Sequence, residues 1–123
     1  MGLIYKELRI EGDQGARDAR ILFDTGASRC FIKREIAEAI GTINKTSISL
    51  RFATATEIEE TDEIVFAHVW LNGHPLHWMF IVVPDLSEEV ILGVDFFQVW
   101  KIRLDPEQEN ITIDPNALKL KLV

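Results

Sequence analysis

The chain has 123 residues, 47% hydrophobic and 27% charged, with a formal net charge of −7. This is enough for the core of a single domain spanning 1–123, not a disordered or fibrous chain, and the acidic balance disfavours nucleic acid and anionic membranes as partners. The longest apolar stretches, such as 78–84, are too short to span a bilayer, and Cys30 as the sole cysteine excludes an intrachain disulfide and gives no reason to expect secretion.

The first ten residues, MGLIYKELRI, carry Lys6, Glu7 and Arg9 within them. No signal peptide is therefore expected, and Lys6 leaves the myristoylation pattern after Gly2 incomplete. The expected location is the cytoplasm. Residues 3–11 alternate apolar (Ile4, Leu8, Ile10) with polar side chains, the pattern of a half-buried strand, and end at the turn cluster Gly12-Asp13-Gln14-Gly15. A second strand returns over 17–23. Residues 33–40 form the clearest helix, with Ile36, Ala37 and Ile40 on one face and Gly41 at the C′ position.

Two further strands, 46–56 and 58–71, are joined by a polar Ala/Thr-rich tip. Asn72-Gly73 is a strong hairpin signal, and 75–83 is its returning strand. After a loop at 84–89, "VILGVDFFQVW" (90–100) passes from a buried strand through Gly93 into a short helix. Strands at 101–104 and 110–113 flank a turn at Pro106. The tail, 118–123, alternates Leu and Lys like an edge strand. "ILFDTG" and "VILG" echo one another weakly, each an apolar strand that ends in a glycine turn before a helical signal. The fold class is all-β with one or two short helices.

Asp24-Thr25-Gly26 follows the apolar run Ile21-Leu22-Phe23. Alone, the tripeptide reads as an Asx-type turn, because all three are turn residues. A carboxylate at the end of an apolar strand is also placed where partial burial can tune its proton affinity. Cys30, between Arg29 and Phe31, reads as a small packed residue and not as a nucleophile. His74-x-x-His77 would put its two imidazoles on opposite faces of a strand, and no cysteine completes a set, so no metal is expected. Trp70, Trp78 and Trp100 fit packing better than a ligand platform. Glu57, Glu59, Glu60, Asp62 and Glu63 read as a solvated hairpin, with a preference for basic peptides as the alternative.

Asp24-Thr25-Gly26-Ala27-Ser28, then Ile91-Leu92-Gly93 about 65 residues on, with a hairpin between them, resembles the retropepsin-like aspartic proteases of the single-domain microbial or cellular type. The resemblance covers roughly residues 5–113 and implies an acid-protease barrel. It also implies catalysis by two aspartates that share a proton. Only one Asp-Thr-Gly is present, so the implied active form is a two-fold homodimer that hydrolyses a peptide or protein substrate without metal or organic cofactor. By the same resemblance Asp24, Thr25 and Gly26 are catalytic, with Thr25 bonding across the axis. Ala27, Ser28, Ile91, Leu92 and Gly93 line or support the site, and the hairpin tip running from Phe52 to Glu57, with Ala53, Thr54, Ala55 and Thr56 as substrate contacts, closes over the peptide. Viral members carry an acid and an arginine where this chain has Ser28 and Val94, so their ion network is absent here. Pepsin-like enzymes usually have Ser or Thr at the place of Ala27, whose absent hydroxyl points to activity from mildly acidic to near-neutral pH. A non-catalytic peptide-binding or scaffolding domain on the same fold is the alternative.

Overall fold

The computed structural model describes residues 3–53 and 57–119. In chain order they form β1 (Leu3–Glu11), β2 (Ala16–Asp24), β3 (Phe31–Lys33), α1 (Arg34–Ile40), β4 (Asn44–Ala53), β5 (Ile58–Leu71), β6 (His74–Val83), β7 (Val90–Leu92), α2 (Val94–Trp100), β8 (Ile102–Asp105) and β9 (Asn110–Ile113). The main sheet runs β1-β2-β7-β3-β6-β5-β4, and β1 pairs back onto β5 with Ile10 opposite Val69. That last pairing closes six strands into a small barrel and leaves β4 as an extension beside β5. The β8–β9 hairpin stands as a separate two-stranded sheet.

Alternation on β1 sends Ile4 and Ile10 inward, where they meet Phe23, Ile32, Phe80, Leu92 and Phe96, all essentially without solvent contact. Each such side chain contributes roughly 1.5–3 kcal/mol through burial. Helix α1 adds Ile36, Ala37 and Ile40 on one face, as the 3.6-residue period predicts. The β5–β6 turn has Asn72 and Gly73 both at positive φ (50° and 83°), the conformation a two-residue Asn-Gly hairpin favours.

The two echoing segments lie side by side. β2 and β7 pair in parallel, with Leu22 opposite Ile91 and Phe23 opposite Leu92. Gly41 differs from its expected role: its φ of −159° is ordinary extended backbone, so it does not cap α1 in the left-handed conformation. A glycine is needed there for space, because a Cβ would lie 2.9 Å from Val65 Cγ2 and 3.1 Å from Asp13 Oδ1. The tail differs too: a 3-10 turn occupies Pro115–Leu118 where the edge strand was expected to begin, with Asp114 accepting from Asn116 N, and 120–123 lie outside the described residues.

The β1–β2 turn is docked onto the end of α1. Gln14 N donates to Ile40 O at 3.0 Å, while Asp13 accepts from Thr42 N and from the Thr42 hydroxyl, each at 2.7 Å. These donors, the hydroxyl first, hold the Asp13 carboxyl below its ordinary value. A carboxylate with a lowered folded-state value stabilises the fold above its unfolded value of about 4, and the effect fades as pH falls through the folded value. Asp13→Asn is therefore expected to lower Tm at pH 7, with the gap to wild type closing as the pH falls below about 4; thermal melts across pH 7 to 3 check this.

Candidate active site

Leu22 and Asp24 are two residues apart on β2 and share a face, opposite the core-directed Phe23. Strand register carries that face across the sheet: Tyr5 pairs with Leu22, Leu22 with Ile91, Ile91 with Phe31, Phe31 with Ile81, and Ile81 with Ile64. The result is an apolar row across six strands, separate from the main core, with Asp24 beside it. Leu22, Ile81 and Ile64 are buried, whereas Ile91 and Phe31 are half-exposed. Of the sequence-predicted pair, Ile91 faces the Asp24 side and Leu92 packs in the core.

The chain turns immediately after Asp24. Its Oδ1 accepts from Gly26 N at 2.8 Å and its carbonyl from Ala27 N at 3.1 Å. This is an Asx-type turn, as the tripeptide by itself reads, and it fixes the position of the carboxylate. Asp24 is half-buried and Thr25, Gly26 and Ser28 are exposed. The Thr25 hydroxyl has no partner among the described residues. Gly26 is outside the left-handed region, so tight turning is not what requires it. A Cβ there would sit 3.1 Å from Asp24 Oδ1, against the carboxylate itself.

β7 lies between β2 and β3, parallel to one and antiparallel to the other, and the 25–30 loop arches over its end. Val94 N donates to Ala27 O at 2.8 Å, and Gly93 N points at Cys30 Sγ at 3.3 Å. A Cβ on Gly93 would lie 2.7 Å from Ala27 O and closer still to Arg29 O. Only glycine fits.

Behind the loop, Asp95 gathers three donors: Phe96 N (2.9 Å), the Trp78 indole (3.2 Å) and the Cys30 thiol (3.5 Å). Burial pushes the Cys30 thiol far up, with Asp95 adding to it, so Cys30 is a neutral packed thiol and not a nucleophile. Nothing in the sequence singles out Asp95, because its partners Trp78 and Cys30 lie 17 and 65 residues away. Where the viral ion network would sit, the Ser28 carbonyl takes the Arg29 guanidinium (3.0 Å) and Val94 bonds through its backbone.

The β4–β5 hairpin reaches over the apolar row. The Phe52 ring stands 5.3 Å from that of Phe31, the Thr61 hydroxyl donates to Val82 O (3.1 Å), and Glu63 pairs with Arg34. Ala53, paired with Ile58, is exposed and alternates to the face opposite Phe52. Thr54, Ala55 and Thr56 lie outside the described residues. Phe52 begins the tip expected to close over substrate, whereas Leu22 is not among the predicted site residues; cross-strand register, invisible in one sequence, brings Leu22 into the row.

His68 and His77 face each other across β5 and β6 with ring centroids 6.1 Å apart, and His74 pairs with Leu71. Among the described residues no group of three or more His, Cys, Asp or Glu is arranged to hold a metal. All three indoles are engaged, Trp70 with Glu11, Trp78 with Asp95 and Trp100 with His77 O. A pocket of about 580 Å³ on the outer wall, lined by Phe66, His68, Trp70 and His77 among others, does not include Asp24 and is no part of this site.

The family described as gag-polyprotein putative aspartyl protease matches residues 9–99. No curated protein matches the chain. Among solved structures, the retroviral protease-like domain of Ddi1 from Leishmania major is similar with a TM-score of 0.69, over 94% of this chain and 90% of that one, at 20% identity. At that identity the likeness shows the fold: a retroviral protease-like barrel of six strands with two short helices.

The two glycines separate in a stability measurement. Gly93→Ala forces a Cβ into backbone and is expected to cost ~1–3 kcal/mol or more, a Tm drop of roughly 5–10 °C. Gly26→Ala meets only the Asp24 side chain and should melt near wild type; calorimetry on both variants checks the contrast.

Proposed function

The chain belongs to the retropepsin-like aspartyl proteases, and on that premise we propose that it is an endopeptidase hydrolysing peptide bonds with a water held between the Asp24 carboxylates of two copies. The observation that carries this reading is the fixed Asp24 carboxylate, sharing one face with the row Leu22, Ile91 and Phe31 beneath Phe52. A peptide lying along that row would bring its carbonyl to the carboxylates. One ionised carboxylate takes a proton from the water as its oxygen attacks the carbonyl carbon. The other, protonated, hydrogen-bonds the carbonyl oxygen, and a proton passes to the amine as the C–N bond breaks.

One chain supplies one Asp-Thr-Gly, so the two-fold homodimer is part of the proposal. Leu3 pairs with Asp24 and is 46% exposed, an apolar side chain beside the carboxylate that a second copy would cover. The Thr25 hydroxyl, without a partner among the described residues, suits a bond across the axis. The reaction uses carboxylates and water and calls for no cofactor. A reduced single thiol suits the cytoplasm as the working compartment.

Asp24→Asn keeps the shape and removes the base, and is expected to lower kcat/KM roughly 1,000-fold or more with Tm little changed. Peptide-library cleavage by both proteins, with sedimentation of the active wild type as a dimer, tests it. A folded wild type that binds peptides but cuts none, and ignores pepstatin-type inhibitors, would establish the scaffolding alternative.

The second expectation concerns pH. Ala27→Ser adds a hydroxyl donor beside the carboxylate pair, which favours their ionised form, so the active window should move toward acid. Profiles of kcat/KM against pH for wild type and variant decide it, an unchanged or alkaline-shifted optimum refuting it.

A further inference from the structure

Alternation sorts the acidic run after the hairpin tip into two faces. Ile58 and Glu60 lie on the outer face, where Glu60 pairs with Arg51 at 3.5 Å. The β5–β6 ladder ends where Ile64 pairs with Ile81, so beyond it the hairpin leaves the barrel wall and its own contacts set its faces: Glu59, Thr61 and Glu63 lie on the side that packs against the body of the protein, where Thr61 bonds Val82 O and Glu63 pairs with Arg34. Glu59 is the next step outward along this underside. Its cross-strand partner is Phe52, whose ring packs on Phe31, so the two side chains share the face that looks onto the apolar row.

The environment of Glu59 is unusual for a carboxylate. It is half-buried next to Phe52 and has no hydrogen-bond or ion-pair partner among the described residues. The nearby arginines are engaged elsewhere, Arg51 with Glu60 on the opposite face and Arg34 with Glu63 and Glu38. A peptide laid beneath the hairpin would take still more water from Glu59. That loss is unfavourable unless the peptide supplies a cation, and an amine or guanidinium would supply it with a charge-assisted hydrogen bond.

We propose that Glu59 is a specificity-determining residue that selects substrates carrying Lys or Arg close to the scissile bond; this rests on the proteolytic reading above. In a two-fold dimer one Glu59 stands over each half of the cleft, so basic residues are favoured on both sides of the cut. The net charge of −7 draws the same peptides inward at low salt.

The test compares matched peptides that differ only in Lys or Arg against Gln or norleucine near the cut. Wild type is expected to favour the basic peptides by about 10- to 100-fold in kcat/KM. Glu59→Gln should bring the basic-to-neutral ratio of kcat/KM close to one, Glu59→Asp should restore part of the preference, and Glu59→Lys should invert it toward acidic peptides. A general loss of activity without a change in selectivity, or an unchanged preference in Glu59→Gln, overturns the proposal. A wild type that cuts nothing overturns the proteolytic reading instead. Affinities of the same peptides for Asp24→Asn and for Asp24→Asn/Glu59→Gln then decide Glu59 without chemistry: a weaker hold on basic peptides alone supports it, and equal affinities overturn it.

Discussion

The site depends on one close approach of backbone to backbone. β7 runs between β2 and β3, and the loop that joins those two strands passes over its end at Gly93, where Ala27 O and Arg29 O leave no volume for a Cβ. Hydrogen bonds then fasten the loop on both sides, Val94 N to Ala27 O and Gly93 N to Cys30 Sγ. A carboxylate set on this loop has little freedom, because any shift of Asp24 must disturb the strand packed under it. Asp95 extends the same support one layer back by tying α2 to Trp78 and Cys30. Pre-organisation of this kind is what the proposed reaction asks of its carboxylate, which would need little rearrangement.

The barrel uses both faces of its strands. The inner face holds Phe23, Ile32 and Leu92 in the core; the outer face of the same segments carries Leu22, Phe31 and Ile91. Residues 21–23, 31–32 and 90–92 therefore read as short continuous apolar runs, buried or half-buried on both faces. The β4–β5 hairpin completes the arrangement by turning its Phe52 and Glu59 side toward that outer row.

Several residues were legible in type but not in role. Gly41 reads as a helix cap, yet it is extended and is required for space beside Val65 and Asp13. The acidic run after the hairpin tip looks uniform along the chain, while the structure pairs Glu60 and Glu63 with arginines on opposite faces and gives Glu59 no partner among the described residues. Asp95 looks like any helix-start acid until Trp78 and Cys30 are brought to it. In each case the deciding neighbour is distant in sequence, and local pattern carries no information about it.

The sequence by itself determined what depends on neighbours a few residues away. Two-residue alternation marked β1 to its last residue, the 3.6-residue period marked the buried face of α1, and Asn72-Gly73 marked the hairpin turn. Asp24-Thr25-Gly26 with Ile91-Leu92-Gly93 carried the family, because chemistry and tight backbone contact restrict those positions to a few residue types. Tertiary structure alone decided which strands are adjacent: β2 against β7, β1 closing on β5, and the hairpin folded over Phe31. Register across strands is set by the packing of whole faces. That packing places Leu22, Phe31, Phe52 and Glu59 around the apolar row beside Asp24, although they lie as many as 37 positions apart along the chain.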